Sequence, residues 1–471
     1  MRVTSFFRIL LLSLILLARG AVADSSPFLK TPYLIYTGSI PEMTVLWQLT
    51  DTGQCTIEWG TDTTRSMGIE LTTEYGTDHQ HTFTICDLSP STKYYYQVSC
   101  AGVSYPGSFY SAPDSTETSL SFMVYGDTRS NFMIHDSIAG AMVSIYRAEP
   151  RFQTIVFATG DMVSYGASEV SWQKEFFNED QTNLRRRMQD VPYVQCPGNH
   201  ALYEKLYLGL NLATPLLEKY FPYPCVDRRY WSLDYGPAHF TIIDQYPSGY
   251  SGLGRISPEE LDWIQNDLST SSSDWKFVIL HEPGWSCGSH PNNDDVQKLL
   301  QPLCEACGVQ IVFSGHNHYY ARACKNGVYH ITTGGGGAPL ADPLPDQPNV
   351  IVTRPDYNFC LLEIDRDTLS VSVVDLNECV IDSFDITKGS PGSYLLGSVT
   401  LYKGEIPLDS VLIQANGASV RSDEAGYYGI QLAPGVYDVS ASLDGYETGI
   451  FENIQVTAGT ETTLDIVMNP L

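Results

Sequence analysis

Two histidines separated by one residue, His316 and His318, follow directly on the apolar run Val309–Phe313 and a Ser-Gly pair. Imidazoles at the mouth of a buried strand are either polar loop residues or metal ligands, and one pair does not decide between the two. The ends of the other apolar runs supply the rest. Gly126-Asp127-Thr128-Arg129 follows "SFMVY", Gly160-Asp161 follows "TIVFAT", Gly198-Asn199-His200 follows "VPYVQCP", and His281 follows "WKFVIL". Taken singly, a Gly-Asp pair after a strand is an ordinary turn, and a histidine there is commonly a satisfied core residue. Five such ends in one chain, each bearing Asp, Asn or His and four opened by glycine, make a donor set. Carboxylates are hard anionic ligands and imidazole suits zinc and iron, while an amide carbonyl adds a neutral oxygen. Asp127, Asp161, Asn199, His281, His316 and His318 suffice for two cations about 3.5–4 Å apart, between which a water ionises near neutral pH and attacks an oriented phosphorus.

Ligands in open α/β sheets bind outside the carboxyl ends of the strands, so the elements that deliver these residues have to be strands of that kind. The runs "LSFMVYGD", "TIVFATGD", "VPYVQCPGN", "WKFVILHE", "VQIVFSGH" and "VYHITTGG" are near-continuous apolar segments suited to burial on both faces. Helical patterns lie between them: "HDSIAGAMVSIYRAE", "SWQKEFFNEDQTNLRR", "SPEELDWIQNDL" and "DVQKLLQPLCEAC". Ser257-Pro258 supplies an N-cap and a first-turn proline for the third. The alternation predicts a layered α/β domain over 117–386. On either side the pattern is all-β. Residues 24–116 hold short aromatic and β-branched strands with a tyrosine-rich "LSPSTKYYYQV", and residues 390–471 hold closely spaced strands with "PG" and "DG" turns. The fold class expected is multidomain, with a central α/β layered sandwich flanked by two small all-β sandwiches.

The first residues, "MRVTSFFRILLLSLILLARGAVADSS", read as a secretory signal cut after Ala23. The apolar run Ile9–Ala18 is too short to span a bilayer, and no later run reaches spanning length. A secreted protein, extracellular or periplasmic, is expected. The formal net charge of −27 repels nucleic acid polymer and anionic lipid at long range without excluding small anions near bound metal. Eleven cysteines, an odd number, leave at least one without an intrachain partner. Cys304-x-x-Cys307 closes a helix, and no second CxxC accompanies it.

The motif order GD, GD, GNH, H, GHxH resembles the calcineurin-like metallophosphoesterase superfamily over roughly residues 120–385. Within it the chain looks most like the purple acid phosphatase-like branch. That branch has a fibronectin III-like N-terminal domain, a VxxH motif (here Val278–His281), and stretches similar to "WSLDYGPAHFTIID" and "GHNHYYAR". The resemblance implies that Asp127, Asp161 and His318 hold one metal and that Asp161 bridges, while Asn199, His281 and His316 hold the other. The ions implied are a divalent or mixed-valence pair of Fe, Zn or Mn. It implies hydrolysis of small phosphate monoesters by a metal-bound hydroxide. Phosphodiester or nucleotide hydrolysis on the same site is the alternative within enzymes, and a non-catalytic surface interaction protein is the alternative outside them. His200 would stabilise phosphoryl charge or protonate the leaving oxygen. His290 lies nine residues after His281, as a substrate-facing histidine does in that branch, and a plain loop histidine is the other reading.

Two positions depart from the pattern. Ser164 stands where purple enzymes carry an iron-binding tyrosine, with Tyr165 one place later. Arg129 stands where many relatives have the histidine of a DxH motif, and either contacts phosphate or pairs with a nearby acid. The segment 394–447 resembles carboxypeptidase regulatory-like domains. Surface attachment, carbohydrate contact and plain spacing stay open for it, with spacing the default. His239 and His330 read as strand residues, His79 and His81 as part of the N-terminal sandwich, and His135 as the start of a helix.

Overall fold

A computed structural model describes residues 26–75, 78–202, 215–247, 254–288, 290–344, 347–388, 394–401, 406–415, 418–432, 435–456 and 461–471. The expected signal segment lies outside the described residues.

The N-terminal region is a sandwich. One sheet holds β1 (Phe28–Ile35), β2 (Met43–Leu49) and β5 (Gln80–Ile85), and the other is ordered β4-β3-β6-β7, with β3 at Cys55–Gly60, β4 at Gly68–Thr72, β6 at Lys93–Cys100 and β7 at Val103–Tyr110. Alternating burial along β6 places Tyr94, Tyr96 and Val98 against Trp47 and Phe109 in a shared core.

The sandwich is not a separate bead. β1 pairs in parallel with a central strand through Ile35↔Tyr193, so its first sheet continues into the α/β domain. The combined nine-stranded sheet runs β20-β19-β18-β8-β9-β10-β1-β2-β5, with β8 at Ser119–Tyr125, β9 at Val156–Ala158, β10 at Tyr193–Gln195, β18 at Asn358–Asp365, β19 at Thr368–Asp375 and β20 at Val380–Thr387. A second central sheet runs β11-β12-β13-β14-β16-β15-β17, with β11 at Trp231–Tyr235, β12 at Ala238–Ile242, β13 at Trp275–Ile279, β14 at Ile311–Ser314, β15 at Tyr320–Lys325, β16 at Val328–Thr333 and β17 at Val350–Arg354. The ligand-bearing strands β8, β9 and β10 are mutually parallel, as are β13 and β14, so their carboxyl ends collect on one rim.

Between the two sheets lies a dry layer built on Phe122, Phe157, Phe240, Phe277 and Phe313. Phe157 stacks on Phe240 with centroids 4.1 Å apart, and Phe122 meets Phe240 edge-on at 5.2 Å. Each such ring contributes about 1.5–3 kcal/mol by burial, with a further ~0.5–1.5 kcal/mol for a well-oriented pair. Helices cover the outer faces. Phe132–Ala148 and Thr182–Asp190 back the first sheet, and Pro258–Thr270 and Gln301–Cys307 back the second, which gives a helix–sheet–sheet–helix sandwich. Ser257 caps its helix as expected, its Oγ accepting from Glu260 N at 3.2 Å.

The single helix expected over 171–186 is broken. Phe177 N donates to Trp172 O at 2.8 Å in a π turn spanning Trp172–Phe176, and Asn178 Oδ1 accepts from Asp180 N at 2.9 Å. That side-chain turn competes with the helix backbone, and the chain restarts as a helix only at Thr182.

The tail forms a five-stranded and a four-stranded sheet, from Tyr394–Leu401 to Ile466–Met468, around Leu395, Val399, Ile413, Val439 and Ile466. It meets the central domain where Tyr329 Oη donates to Gln431 Oε1 at 2.6 Å. All eleven cysteines are free thiols.

Candidate metal centre

The turns after the strands are tight. Asp127, Asp161 and His316 adopt left-handed backbone (φ 54°, 54° and 66°), a conformation that costs a non-glycine residue free energy and collects at functional sites. The glycines of the motifs admit close approach. A Cβ on Gly315 would stand 2.2 Å from Asp127 Oδ2, and one on Gly198 would stand 2.1 Å from Asp161 Oδ1. This proximity fixes each carboxylate by one oxygen. Asp127 Oδ2 accepts from His316 N at 2.9 Å, and Asp161 Oδ1 accepts from His200 N at 2.9 Å. The other oxygens face a common gap. Asp127 Oδ1 is buried there without a hydrogen-bond partner among the described residues, a costly state for a carboxylate unless a cation meets it.

The imidazoles follow the same rule of one atom pinned and one aimed inward. His281 Nδ1 donates to Thr159 O at 2.7 Å, and His318 Nδ1 donates to Pro339 O at 2.9 Å. A backbone acceptor on one ring nitrogen orients the other as a ligand. His281 Nε2 lies 3.4 Å from Asp161 Oδ2, 3.0 Å from Asn199 Oδ1 and 3.2 Å from His316 Nδ1. His318 Nε2 lies 3.6 Å from Asp127 Oδ1. Among the described residues, Asp127, Asp161 and His281 bring one ligand atom each to within 4.8 Å of one another. Cys304 and Cys307 belong to no such group. The structure thus brings all six sequence-predicted donors to one rim. The hard oxygens and borderline nitrogens fit zinc, iron or manganese.

Burial and mutual charge set the protonation of the cluster. Burial pushes Asp127 up to about 7, against the pull of His281. Burial acts on Asp161 in the same sense, but the neighbouring His281 and His200 rings hold it well below the usual carboxylate range. His281 is pushed up to about 9, because Asp161 outweighs its desolvation. Burial lowers His318 to about 4, with Arg129 acting in the same direction, and carries His316 well below its ordinary value. A proton on His281 Nε2 therefore stands among Asp161, Asn199 and His316, where a cation with the same neighbours would replace it.

Three further predicted residues border the gap. Arg129 Nε lies 3.5 Å from Asp161 Oδ2 and its Nη2 lies 3.2 Å from His318 Nε2, so in this state the guanidinium rests on the acid. His200 donates through Nδ1 to Ser164 O at 2.8 Å, and its Nε2 stands 3.9 Å from Asp161 Oδ2. His290 lies at the surface, its ring 4.1 Å from the His316 ring centroid to centroid.

Gln245 and Glu282, not singled out from the sequence, hold these loops. Gln245 Oε1 accepts from the amides of His281 at 2.9 Å and Glu282 at 2.6 Å, and Glu282 Oε2 accepts from Asn293 Nδ2 at 2.8 Å. A Cβ on Gly336 would stand 2.3 Å from Gly126 O, so the glycine run after β16 lies directly on the first motif.

The profile of the calcineurin-like phosphoesterase family matches residues 122–320, and that of the carboxypeptidase regulatory-like domain matches residues 395–469. Residues 122–320 thus carry a calcineurin-like phosphoesterase domain, similar to purple acid phosphatases, and the tail carries a carboxypeptidase regulatory-like domain.

Among curated relatives, the purple acid phosphatase of Glycine max is 23% identical over 273 residues, covering 55% of this chain and 56% of the relative. The Fe(3+)-Zn(2+) purple acid phosphatase 12 of Arabidopsis thaliana is 23% identical over 286 residues, 58% of each chain. An Arabidopsis protein named probable inactive purple acid phosphatase 1 is 29% identical over 275 residues, 50% of this chain and 43% of its own. The matches thus span about half the length of these relatives. Two solved structures share the fold. Purple acid phosphatase PPD1 of yellow lupin has a TM-score of 0.61 at 19% identity, over 76% of this chain and 74% of its own. PhoD has a TM-score of 0.59 at 12% identity, over 78% and 90%. No described helix is long and apolar enough to cross a membrane.

Proposed function

We propose that this protein is an exported dinuclear-metal phosphoesterase whose substrates are small phosphate monoesters. The observation that carries the reading is the convergence of six donor side chains from five strand ends of two sheets, with the remaining oxygens of Asp127 and Asp161 turned into one gap. In this reading Asp127, Asp161 and His318 would hold one cation, and Asn199, His281 and His316, with Asp161 shared, would hold the other. The chemistry such a pair supplies when bound is Lewis acidity toward the phosphoryl oxygens and toward the water that attacks phosphorus. Fe, Zn and Mn are the candidates, and one relative's name gives Fe(3+) with Zn(2+).

The chain's own residues do the rest. Arg129 leaves Asp161 and binds the phosphoryl anion through its planar fork. His200, pinned through Nδ1 to Ser164 O, presents Nε2 to the leaving oxygen or to developing negative charge. His290 meets the substrate from the surface side of His316. Export follows from the signal read over 1–23, and the domain limits 24–116, 117–386 and 390–471 belong to the same proposal, with the tail as a spacer.

Phosphodiester or nucleotide hydrolysis on the same rim is the second enzymatic reading, since the loops that select substrate include residues outside those described. Two relatives named probable inactive favour a non-catalytic scaffold. The complete donor set opposes that reading, because loss of activity commonly begins with loss of ligands. A panel of chromogenic phosphate mono- and diesters, offered to protein reconstituted with zinc, iron or manganese, tests the proposal. Monoester turnover exceeding diester turnover is expected. Preferential diester cleavage moves the assignment to the second reading, and no turnover with any ester moves it to the scaffold.

A further inference from the structure

Glu175 is an acid buried at 7% exposure in the π turn Trp172–Phe176, away from the donor rim. A continuous α-helix would let its side chain follow the amphipathic pattern of 171–186. The wider turn instead aims its carboxylate at the backs of two motif loops, and π turns of this kind recur at functional sites. Its Oε2 alone accepts from Ser130 N at 2.7 Å, Ser164 N at 2.9 Å and Ser164 Oγ at 2.8 Å.

Ser130 adjoins Arg129, whose Nη1 donates to Ser130 Oγ at 3.3 Å, and Ser164 Oγ lies 3.2 Å from Ser130 Oγ. Ser164 O is the acceptor that pins His200. The same turn adds a brace, because Trp172 Nε1 donates to Gly166 O at 2.7 Å while Gly166 N donates to His200 O at 2.9 Å. One carboxylate oxygen thus joins the loop bearing Arg129 to the loop that orients His200, two of the three groups beside the gap that are not donors to it. Ser164 occupies the position where purple enzymes carry tyrosine, and here its hydroxyl is committed to Glu175.

We propose that Glu175 is a positioning residue that holds Arg129 and His200 in register with the metal ligands. This rests on the proposed function, since the register matters only if both groups meet a phosphoryl group. Three donors converging on one side-chain oxygen, two of them backbone amides, fix both loops to the same point. A displacement of about 1 Å in a catalytic group costs up to about a hundredfold in rate.

The test compares full-length Glu175→Ala, Glu175→Asp and Glu175→Gln with the parent. Metal content, amide hydrogen exchange at Ser130 and Ser164, and steady-state kinetics on a chromogenic phosphate monoester are measured. In Glu175→Ala we expect faster exchange at both amides, unchanged metal content, and kcat lowered at least about tenfold with KM within about threefold. Glu175→Gln, which keeps an acceptor of the same reach, returns kcat to within about threefold of the parent. If Glu175→Ala does not fold, Glu175→Asp decides. It keeps the charge but is one methylene short, and is expected to lose about tenfold in kcat.

Unchanged amide exchange, unchanged kcat despite faster exchange, or a loss of kcat that tracks loss of metal would each overturn the proposal. If the metal-loaded parent hydrolyses no ester, the functional reading fails separately, and calorimetry with inorganic phosphate takes over. About tenfold weaker phosphate binding in Glu175→Ala then supports the positioning role, and equal or absent binding in both proteins overturns it.

Discussion

The rim of the central domain and the middle of the same sheets both bury histidines, and they use them in opposite ways. In mid-strand, two imidazoles are held by side chains of the protein. His239 on β12 lies between Asp234 at 2.7 Å and Asp267 at 3.0 Å, and His330 on β16 donates to Gln301 Oε1 at 2.7 Å. At the rim, one nitrogen of His281 or His318 is pinned to a backbone carbonyl, and the other faces acids and imidazoles across a gap too polar to stay closed on its own. Burial alone therefore does not distinguish a ligand from a structural histidine. The difference lies in whether the second nitrogen faces a buried carboxylate oxygen that lacks a partner, as Asp127 Oδ1 does.

If the rim is a metal centre, its substitutions act on turnover and those in mid-strand act on stability. The largest effect belongs to Asp161. Asp161→Asn is expected to lower turnover by about a thousandfold or more with the fold retained, as read by steady-state kinetics beside circular dichroism. His200→Ala comes next. It is expected to keep its metals by elemental analysis and to lose about a hundred- to a thousandfold in kcat. Loss of metal in that variant would move His200 among the ligands.

The mid-strand histidines sharpen the contrast through pH. Asp234 and Asp267 push His239 up to about 9 despite its burial. Its stabilisation is complete below an ordinary histidine value of about 6.5 and fades as pH rises through about 9. His239→Gln is expected to lower the unfolding midpoint by about 2–4 °C at pH 6, by a smaller margin at pH 9.5, and to leave metal content unchanged. His330 has the opposite sign. Burial holds it down to about 3, so the unfolded chain takes up a proton that the folded chain refuses, and stability falls as pH drops from about 6.5 toward 3. His330→Gln is expected to reduce that acid sensitivity, the smallest of these effects, measurable by denaturant melts at pH 7 and pH 4.5.

The rim was legible in the sequence because its parts are local. An apolar run marks the strand, a glycine marks the close approach, and the next residue is the donor. The partners that finish the site left no such mark. Thr159 and Pro339 contribute backbone carbonyls, which any residue has. Gln245 acts from a loop remote in sequence, and Glu282 adjoins His281 but braces Asn293 rather than the gap. Glu175 was hidden by the 3.6-residue rhythm of 171–186, because apolar spacing carries no sign of an i→i+5 hydrogen bond or of the turn closed by Asn178. The join of the N-terminal sandwich to the central sheet was invisible for a related reason. Its ladder is the single pair Ile35↔Tyr193, and a strand looks the same from either side of a domain boundary.

Elemental analysis tests the rim most directly, applied to protein purified from its own host and again after reconstitution, on the parent and on Asp161→Asn. Two metal equivalents per chain in the parent, with fewer in the variant, is the result this account predicts. Less than one equivalent in the parent after exposure to zinc, iron and manganese would contradict it.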